Sequence, residues 1–343
     1  MKKIFNALNQ QLTAEKNCVF CTIIANSGST PRGSGARMLV MEDGTTIGTI
    51  GGGEVEYRSS KIAMDALKNK RSFLQPFCLT ADQVASIGMI CGGAVTVYFQ
   101  YIDHDNPQAR ELCAQILHQL EQDEDSWLIL DVSHEQEWGM GLYTKKDGLR
   151  GLDGLAESEI AELCVTRATQ KHYDDRHYYG EPLVRSGMVY IFGGGHIAQE
   201  LAPLLTHLNF RVTIFEDRPE FATRQLFPTV DQIIVGNPDH FSEKITIKES
   251  DYIVIMTRGH SHDYNIQLQA MRTPAHYLGV MGSREKLRIL SEKMFKEGFT
   301  QADVDRFHSP IGTAIKAETP AEIAISVAGE LILTRSERLT NNG

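Results

Sequence analysis

Apolar residues recur along this chain with two different rhythms, and the rhythm changes partway through. Ile4, Phe5, Leu8 and Leu12 fall at helical spacing and predict a short amphipathic helix over residues 2–13. The cysteine-rich, β-branched run Asn17–Ala25 predicts a buried strand. Met38–Met41 and Thr45–Ile50 predict a hairpin turning at Asp43-Gly44. A helix is expected over Glu54–Lys70, with Val55, Ile62 and Ala66 on its buried side, then strands over Phe73–Leu79 and Val95–Tyr101 with a short hydroxyl-capped helix from Thr80 between them. Pro107–Gln122 carries Leu112, Ile116, Leu117 and Leu120 on one helical side. Trp127–Val132 predicts a strand, 139–151 a hairpin turning at Asp147-Gly148, and Ala156–Ala168 a helix. Tyr173–Pro182, rich in tyrosine, histidine and charge, reads as the approach to a second domain.

Beyond Met188 short apolar runs alternate with helical segments, as a parallel sheet covered on both faces requires. Strands are expected at 189–193, 211–216, 231–235, 251–257 and 276–280, with helices near 197–208, 219–226, 262–272 and 284–297. The last helix opens with Thr319-Pro320-Ala321-Glu322, a capping box with proline in its first turn. Its apolar rows Ile323, Val327, Leu331 and Ala324, Ala328, Ile332 define a packed face. The fold class is therefore α/β: a C-terminal Rossmann-like doubly wound parallel sheet over 176–343 and an N-terminal α+β domain over 1–175.

Within the second part, Val189–Phe192 runs into Gly193-Gly194-Gly195-His196, a helix follows, and the next strand ends in Glu216-Asp217. This matches a dinucleotide-binding βαβ unit: Gly193 for the tight turn, Gly195 where backbone approaches a pyrophosphate, Ala198 at the helix-packing position, and an acid for a ribose hydroxyl. In such sheets the ligand lies beyond the carboxyl ends of the strands. That rule also selects Arg218, the segment Gly236–Asp239, Arg258, His260, His262 and Asp263 after the fourth strand, and Gly282, Ser283 and Arg284 after the fifth.

Composition narrows the partners. A chain of 343 residues exceeds one ordinary core, so two domains are expected. Forty-four acidic against 34 basic residues give a net charge of −10, which disfavours nucleic acid. No stretch of 18 apolar residues occurs and Met1–Lys16 has no signal-peptide pattern, so a cytoplasmic protein without a membrane span is expected. Six irregularly spaced cysteines are expected to be reduced thiols. Cys18 and Cys21 form a C-x-x-C pair on paper, but in a strand side chains three apart point to opposite faces, so they read as two small core residues.

The first domain carries its own candidate chemistry. Arg32 and Arg37 beside Gly33 and Gly35 suit bidentate anion binding, with surface salt bridging as the alternative. Gly51, Gly52 and Glu54 open a helix whose N-terminal amides suit an anion. Cys91 sits at the glycine turn with Gly92 and Gly93, where access would make a thiol reactive; a buried thiol is the alternative. His260-x-His262-Asp263 suggests metal ligation at first sight. Tyr264 stands where a further ligand would be needed, so hydrogen bonding to a phosphate or pterin-like ligand, or a structural turn, is preferred and no metal is expected.

Several motifs in collinear order resemble one family. Ser29–Met38, Gly51-Gly52 before an acid, Gly88–Gly93 with Cys91, Glu216–Glu220, Thr257–His260, Gly282–Arg284 and His308–Gly312 are similar to the xanthine dehydrogenase accessory (XdhC/CoxI) family over nearly the whole chain. The resemblance implies a maturation factor for molybdenum hydroxylases of the xanthine or aldehyde oxidoreductase type. Such a factor binds molybdenum cofactor (molybdopterin), supports its sulfuration by a cysteine desulfurase and delivers it to the apoenzyme, as a homodimer and more as a chaperone than a turnover enzyme. Where many relatives carry a cysteine after the first paired glycines this chain has Gly53, leaving Cys91 as the motif cysteine for sulfur handling. Two other readings share the Rossmann half: an NAD(P)-dependent oxidoreductase, for which the first domain shows no obvious proton donor, and a nucleotide-sensing regulatory protein.

Overall fold

A computed structural model describes residues 1–28, 33–79, 93–135, 139–258, 262–282 and 284–338. The chain forms two compact units that divide between Arg185 and Ser186.

The first unit contains two five-stranded antiparallel sheets. One has the order β3-β2-β1-β5-β4, from β1 (Cys18–Gly28), β2 (Arg37–Met41), β3 (Thr46–Thr49), β4 (Phe73–Leu79) and β5 (Gly93–Ile102). The other has the order β8-β7-β6-β10-β9, from β6 (Ser126–Asp131), β7 (Met140–Thr144), β8 (Gly148–Arg150), β9 (Thr169–Tyr173) and β10 (Arg176–Val184). Their shared core is filled by Phe20, Leu39, Tyr98, Leu128, Leu130 and Tyr179, together with Phe5 and Leu8 of the helix Lys2–Thr13 and Leu112 and Ile116 of the helix Pro107–Gln119. The latter helix starts where expected because Asn106 accepts from the Gln108 amide at 2.9 Å and Pro107 occupies the first turn. On the far face of the first sheet lies the helix Gly53–Asn69, through Val55, Ala63 and Ala66.

Strand alternation separates the C-x-x-C pair as its spacing dictates. Cys18 packs into the core between the sheets and Cys21 into the core under Gly53–Asn69, both fully buried. Burial pushes both thiols up, out of the reactive range.

The second unit is a six-stranded parallel sheet in the order β13-β12-β11-β14-β15-β16. Its strands are β11 (Met188–Phe192), β12 (Arg211–Glu216), β13 (Gln232–Val235), β14 (Tyr252–Ile255), β15 (Tyr277–Val280) and β16 (Phe307–His308). In chain order this is 3-2-1-4-5-6, the doubly wound Rossmann arrangement. The helices His196–His207 and Pro320–Arg338 cover one face, and Asp263–Met271 and Arg284–Lys296 the other. The final helix is capped reciprocally: the Thr319 amide donates to Glu322 at 2.9 Å and the Glu322 amide to Thr319 Oγ1 at 3.3 Å. Among the described residues no helix is long and apolar enough to cross a membrane.

Five expectations change. The boundary expected at 175/176 falls at 185/186, because Arg176–Val184 is a strand inserted between β6 and β9 instead of a linker. The helix expected near 219–226 is a single 3-10 turn, Pro219–Phe221, and that over 156–168 is shortened to Glu157–Leu163. A sixth strand joins the sheet through two residue pairs. Ile332, expected on the packed face of the last helix, is 41% exposed.

Candidate functional site

In the second unit the glycine turn, the end of β12 and the segments after β13 and β14 form one cleft. Gly193, Glu216, Asp217, Arg218, Arg258 and His262 are among its walls. Each glycine has a separate reason. Gly193 has φ +116°, and a Cβ there would lie 2.5 Å from the Met256 carbonyl oxygen. A Cβ on Gly194 would lie 2.3 Å from the Phe221 carbonyl oxygen. Gly195 is the residue before the helix His196–His207, and a Cβ on it would meet nothing within 4 Å, so its backbone faces open space. No side chain caps that helix, His196 is exposed, and Ala198 is fully buried against the sheet as the motif requires.

Glu216 turns inward, where the ribose-binding acid of the motif would face a ligand. It is 2% exposed, accepts the Gly194 amide at 2.6 Å, and holds Arg218 in a two-point contact, Nε to Oε1 at 2.9 Å and Nη2 to Oε2 at 3.1 Å. Burial opposes its ionisation, but hydrogen bonds from Arg218, Asp217 and the Gly194 and Arg218 amides prevail and hold it at about 2. Asp217, half-exposed at the rim, moves the opposite way: its hydrogen bond to Glu216, then burial, raise it. His262 links two carboxylates, with Nδ1 3.0 Å from Asp239 and Nε2 3.9 Å from Asp217. Asp263 is buried and accepts from the Thr257 hydroxyl.

In the first unit the strand registers bring the glycine loops to one end of the first sheet, where β1, β3 and β4 finish and β2 and β5 begin. Gly93 pairs with both Gly28 and Leu79 there. Two of the expected anion seats at this end are taken by the protein's own carboxylates. Arg37 is 3% exposed, donates from Nε to Thr22 at 2.8 Å, and its Nη2 lies 2.7 Å from Glu181 Oε1. Glu181 also accepts from the Tyr179 hydroxyl at 2.9 Å, and a Cβ on Gly35 would lie 2.4 Å from it. Arg37 therefore joins the two sheets of its unit, and the glycine beside it leaves room for that ion pair.

At Gly51–Gly53 the anion is Glu56. Its Oε2 accepts from the Thr49 hydroxyl at 2.5 Å, the Ile50 amide at 3.0 Å and the Gly52 amide at 2.9 Å. Burial would raise its pKa, yet these donors lower it. Glu54, in the same helical turn, stays exposed. Glu56→Ala is expected to lower the stability of the first unit by about 1.5–3 kcal/mol, the range for hydrogen bonds to a charged group, measured by urea unfolding. A change within about 0.5 kcal/mol, the usual scatter for surface substitutions, would mean the loop amides find other partners.

The structure thus brings together Gly193, Gly194, Glu216, Asp217, Arg218, Arg258 and His262, with Gly195 and His196 opening the adjoining helix. Gly282 lies outside the described lining of that cleft. Gly33, Gly51, Gly52 and Gly93 lie in or beside the loops of the first unit. Arg32, Cys91, Gly92, His260 and Ser283 lie outside the described residues, as does the side chain of Arg284. Sequence reasoning did not single out Glu56 and Glu181, and it selected Asp239 only as the end of the segment Gly236–Asp239. Glu56 had a local signal, an acid just inside a helix after a glycine turn; Glu181 and Asp239 reach their partners only through the tertiary fold.

Comparison with known proteins gives the family. Residues 11–77 match the model of the XdhC and CoxI family, and residues 189–331 match that of the XdhC Rossmann domain. The chain is 27% identical over 339 residues to a probable xanthine dehydrogenase subunit of Bacillus subtilis, covering 98% of both chains. It is 24% identical over 330 residues to the molybdenum cofactor insertion chaperone PaoD of Escherichia coli, covering 95% of this chain and 86% of that protein. Its fold matches that of a crystal structure described as a xanthine dehydrogenase from Bacillus halodurans, with a TM-score of 0.77 at 23% identity, over 97% of this chain and 96% of that one. With both of its units matched by models of one family, together more than half of its length, the chain belongs to the XdhC and CoxI family.

Proposed function

We propose that this protein is an accessory factor that binds molybdenum cofactor and supports its sulfuration and insertion into a molybdenum hydroxylase of the xanthine or aldehyde oxidoreductase type. The observation that carries this reading is the nearly full-length similarity to a protein named as a molybdenum cofactor insertion chaperone. The cofactor is cargo here. A phosphate-bearing pterin suits backbone amides and glycine loops that approach it closely, and both units supply such loops. Arg37 is not among its ligands in this proposal, because its guanidinium is already committed to Glu181. Cys91, in the glycine segment that leads into β5, is the thiol proposed to handle sulfur from a cysteine desulfurase. The working form is proposed to be a homodimer in the cytoplasm.

The test is copurification from a host that makes the cofactor. Oxidised extracts of the purified protein are expected to yield the fluorescent pterin derivative. Cys91→Ala is expected to keep the pterin but lower activation of a sulfur-free apo-hydroxylase by roughly tenfold or more, as for removal of a group that acts in the transfer step itself. Absence of pterin above background would overturn the proposal. Unchanged activation by Cys91→Ala would remove that thiol from it.

A further inference from the structure

We infer that the cleft at the ends of β11 and β12 binds a nucleotide whose ribose hydroxyls are both free, and that it is built to reject a ribose 2′-phosphate. This goes beyond the maturation reading, and neither depends on the other.

The cleft opens where β11 and β12 lie side by side, paired Phe192 with Phe215, at the carboxyl end of a 3-2-1-4-5-6 parallel sheet. In this topology the ribose next to the pyrophosphate lies over the end of the second strand, and the residues there decide whether its 2′ position carries a hydroxyl or a phosphate. A carboxylate accepts from hydroxyls and repels phosphate, whereas a presented guanidinium does the reverse.

Both residue types are present in Glu216-Asp217-Arg218, so sequence alone leaves the choice open. The geometry resolves it. Arg218 is turned away from the phosphate-binding role: its guanidinium makes a two-point contact with Glu216 and lies 4.0 Å over the Phe221 ring. A 2′-phosphate would have to take it from a buried carboxylate that has no other cationic partner among its described contacts. Asp217 is left as the half-exposed acid at the rim, and Asp239 stands behind His262 with a second carboxylate. A phosphate beside Asp217 would meet like charge, while vicinal hydroxyls would meet an acceptor. Beyond the turn, Gly195 leaves open space over the start of an uncapped helix, where backbone amides suit the pyrophosphate.

The test is calorimetric titration of the purified full-length protein with NAD⁺ and NADP⁺, and with ADP-ribose and its 2′-phosphate as probes without the nicotinamide. The unphosphorylated member of each pair is expected to bind about tenfold or more tightly, the scale of one hydrogen bond to a charged group. Asp217→Asn, which keeps size and removes charge, is expected to narrow the gap to about twofold, with circular dichroism confirming the fold. Equal or tighter binding of the 2′-phosphorylated probe would overturn the inference, and so would failure of all four probes to bind. Pterin content of the same preparation is read independently, so loss of the maturation reading and loss of this one are told apart.

Discussion

Arg37→Ala is expected to lower the unfolding free energy of the first unit by about 3–5 kcal/mol, the cost of leaving a buried charge without its partner. The Arg37 and Glu181 side chains are 1% and 5% exposed, so neither charge can recover hydration when the other is removed. Glu181 would retain the Tyr179 hydroxyl as a donor, a neutral group in place of a charged one. Lys2–Glu121, with side chains 57% and 59% exposed, provides the control: Lys2→Ala is expected to change stability by at most about 1 kcal/mol, since water screens that pair. Replacing both members of the buried pair, as Arg37→Met with Glu181→Leu, should recover most of the loss, because apolar side chains of similar volume carry no desolvation penalty. Urea unfolding followed by far-ultraviolet dichroism checks all three. If Arg37→Ala costs no more than Lys2→Ala, the buried pair does not hold the two sheets together. Loss of pterin in Arg37→Ala alone would not identify a ligand contact. Retention in the double variant would show that the arginine serves the scaffold.

The same pair shows what the sequence could and could not disclose. An arginine among glycines and hydroxyls looks like an anion site, and it is one, but its anion is a glutamate from β10, a segment that reads as a linker because tyrosine, histidine and charge outnumber its apolar residues. Nothing local encodes that pairing. The parallel sheet was legible because β14 and β15 are short runs without charge, buried on both faces, and β12 carries Val212, Ile214 and Phe215 ahead of its acidic turn. Its sixth strand was not, since two residues carry no periodicity. The glycine triplet and the acids after β12 were legible as one constellation, because spacing along a βαβ unit fixes their proximity. Which acid turns inward was not, because that depends on the Gly194 amide and on Arg218 folding back over Phe221.

Glu216→Gln carries the second large expectation, and pH separates its electrostatic part from simple loss of shape. A carboxylate held at about 2 in the folded chain, against its ordinary 4.5, favours folding wherever it is ionised. At about 1.4 kcal/mol per pKa unit, and with part returned by the opposite shift at Asp217, this is on the order of 2–3 kcal/mol at neutral pH. The sign follows from proton uptake: between about 4.5 and 2 the unfolded chain binds the proton that the folded chain refuses, so this stabilisation is complete above that window and is lost as pH falls through it. Glutamine keeps the volume but offers no charge to Arg218 and one acceptor where two oxygens now serve the Gly194 amide and the guanidinium. The variant should therefore be less stable than the parent at pH 7, and the gap should close as the pH is lowered toward about 3. Urea unfolding at several pH values measures it. A gap that stays constant across the acid range would assign the effect to packing alone. A closing gap would establish Glu216 as the ionised clamp that holds the glycine turn and Arg218 in place, leaving Asp217 to face the cleft.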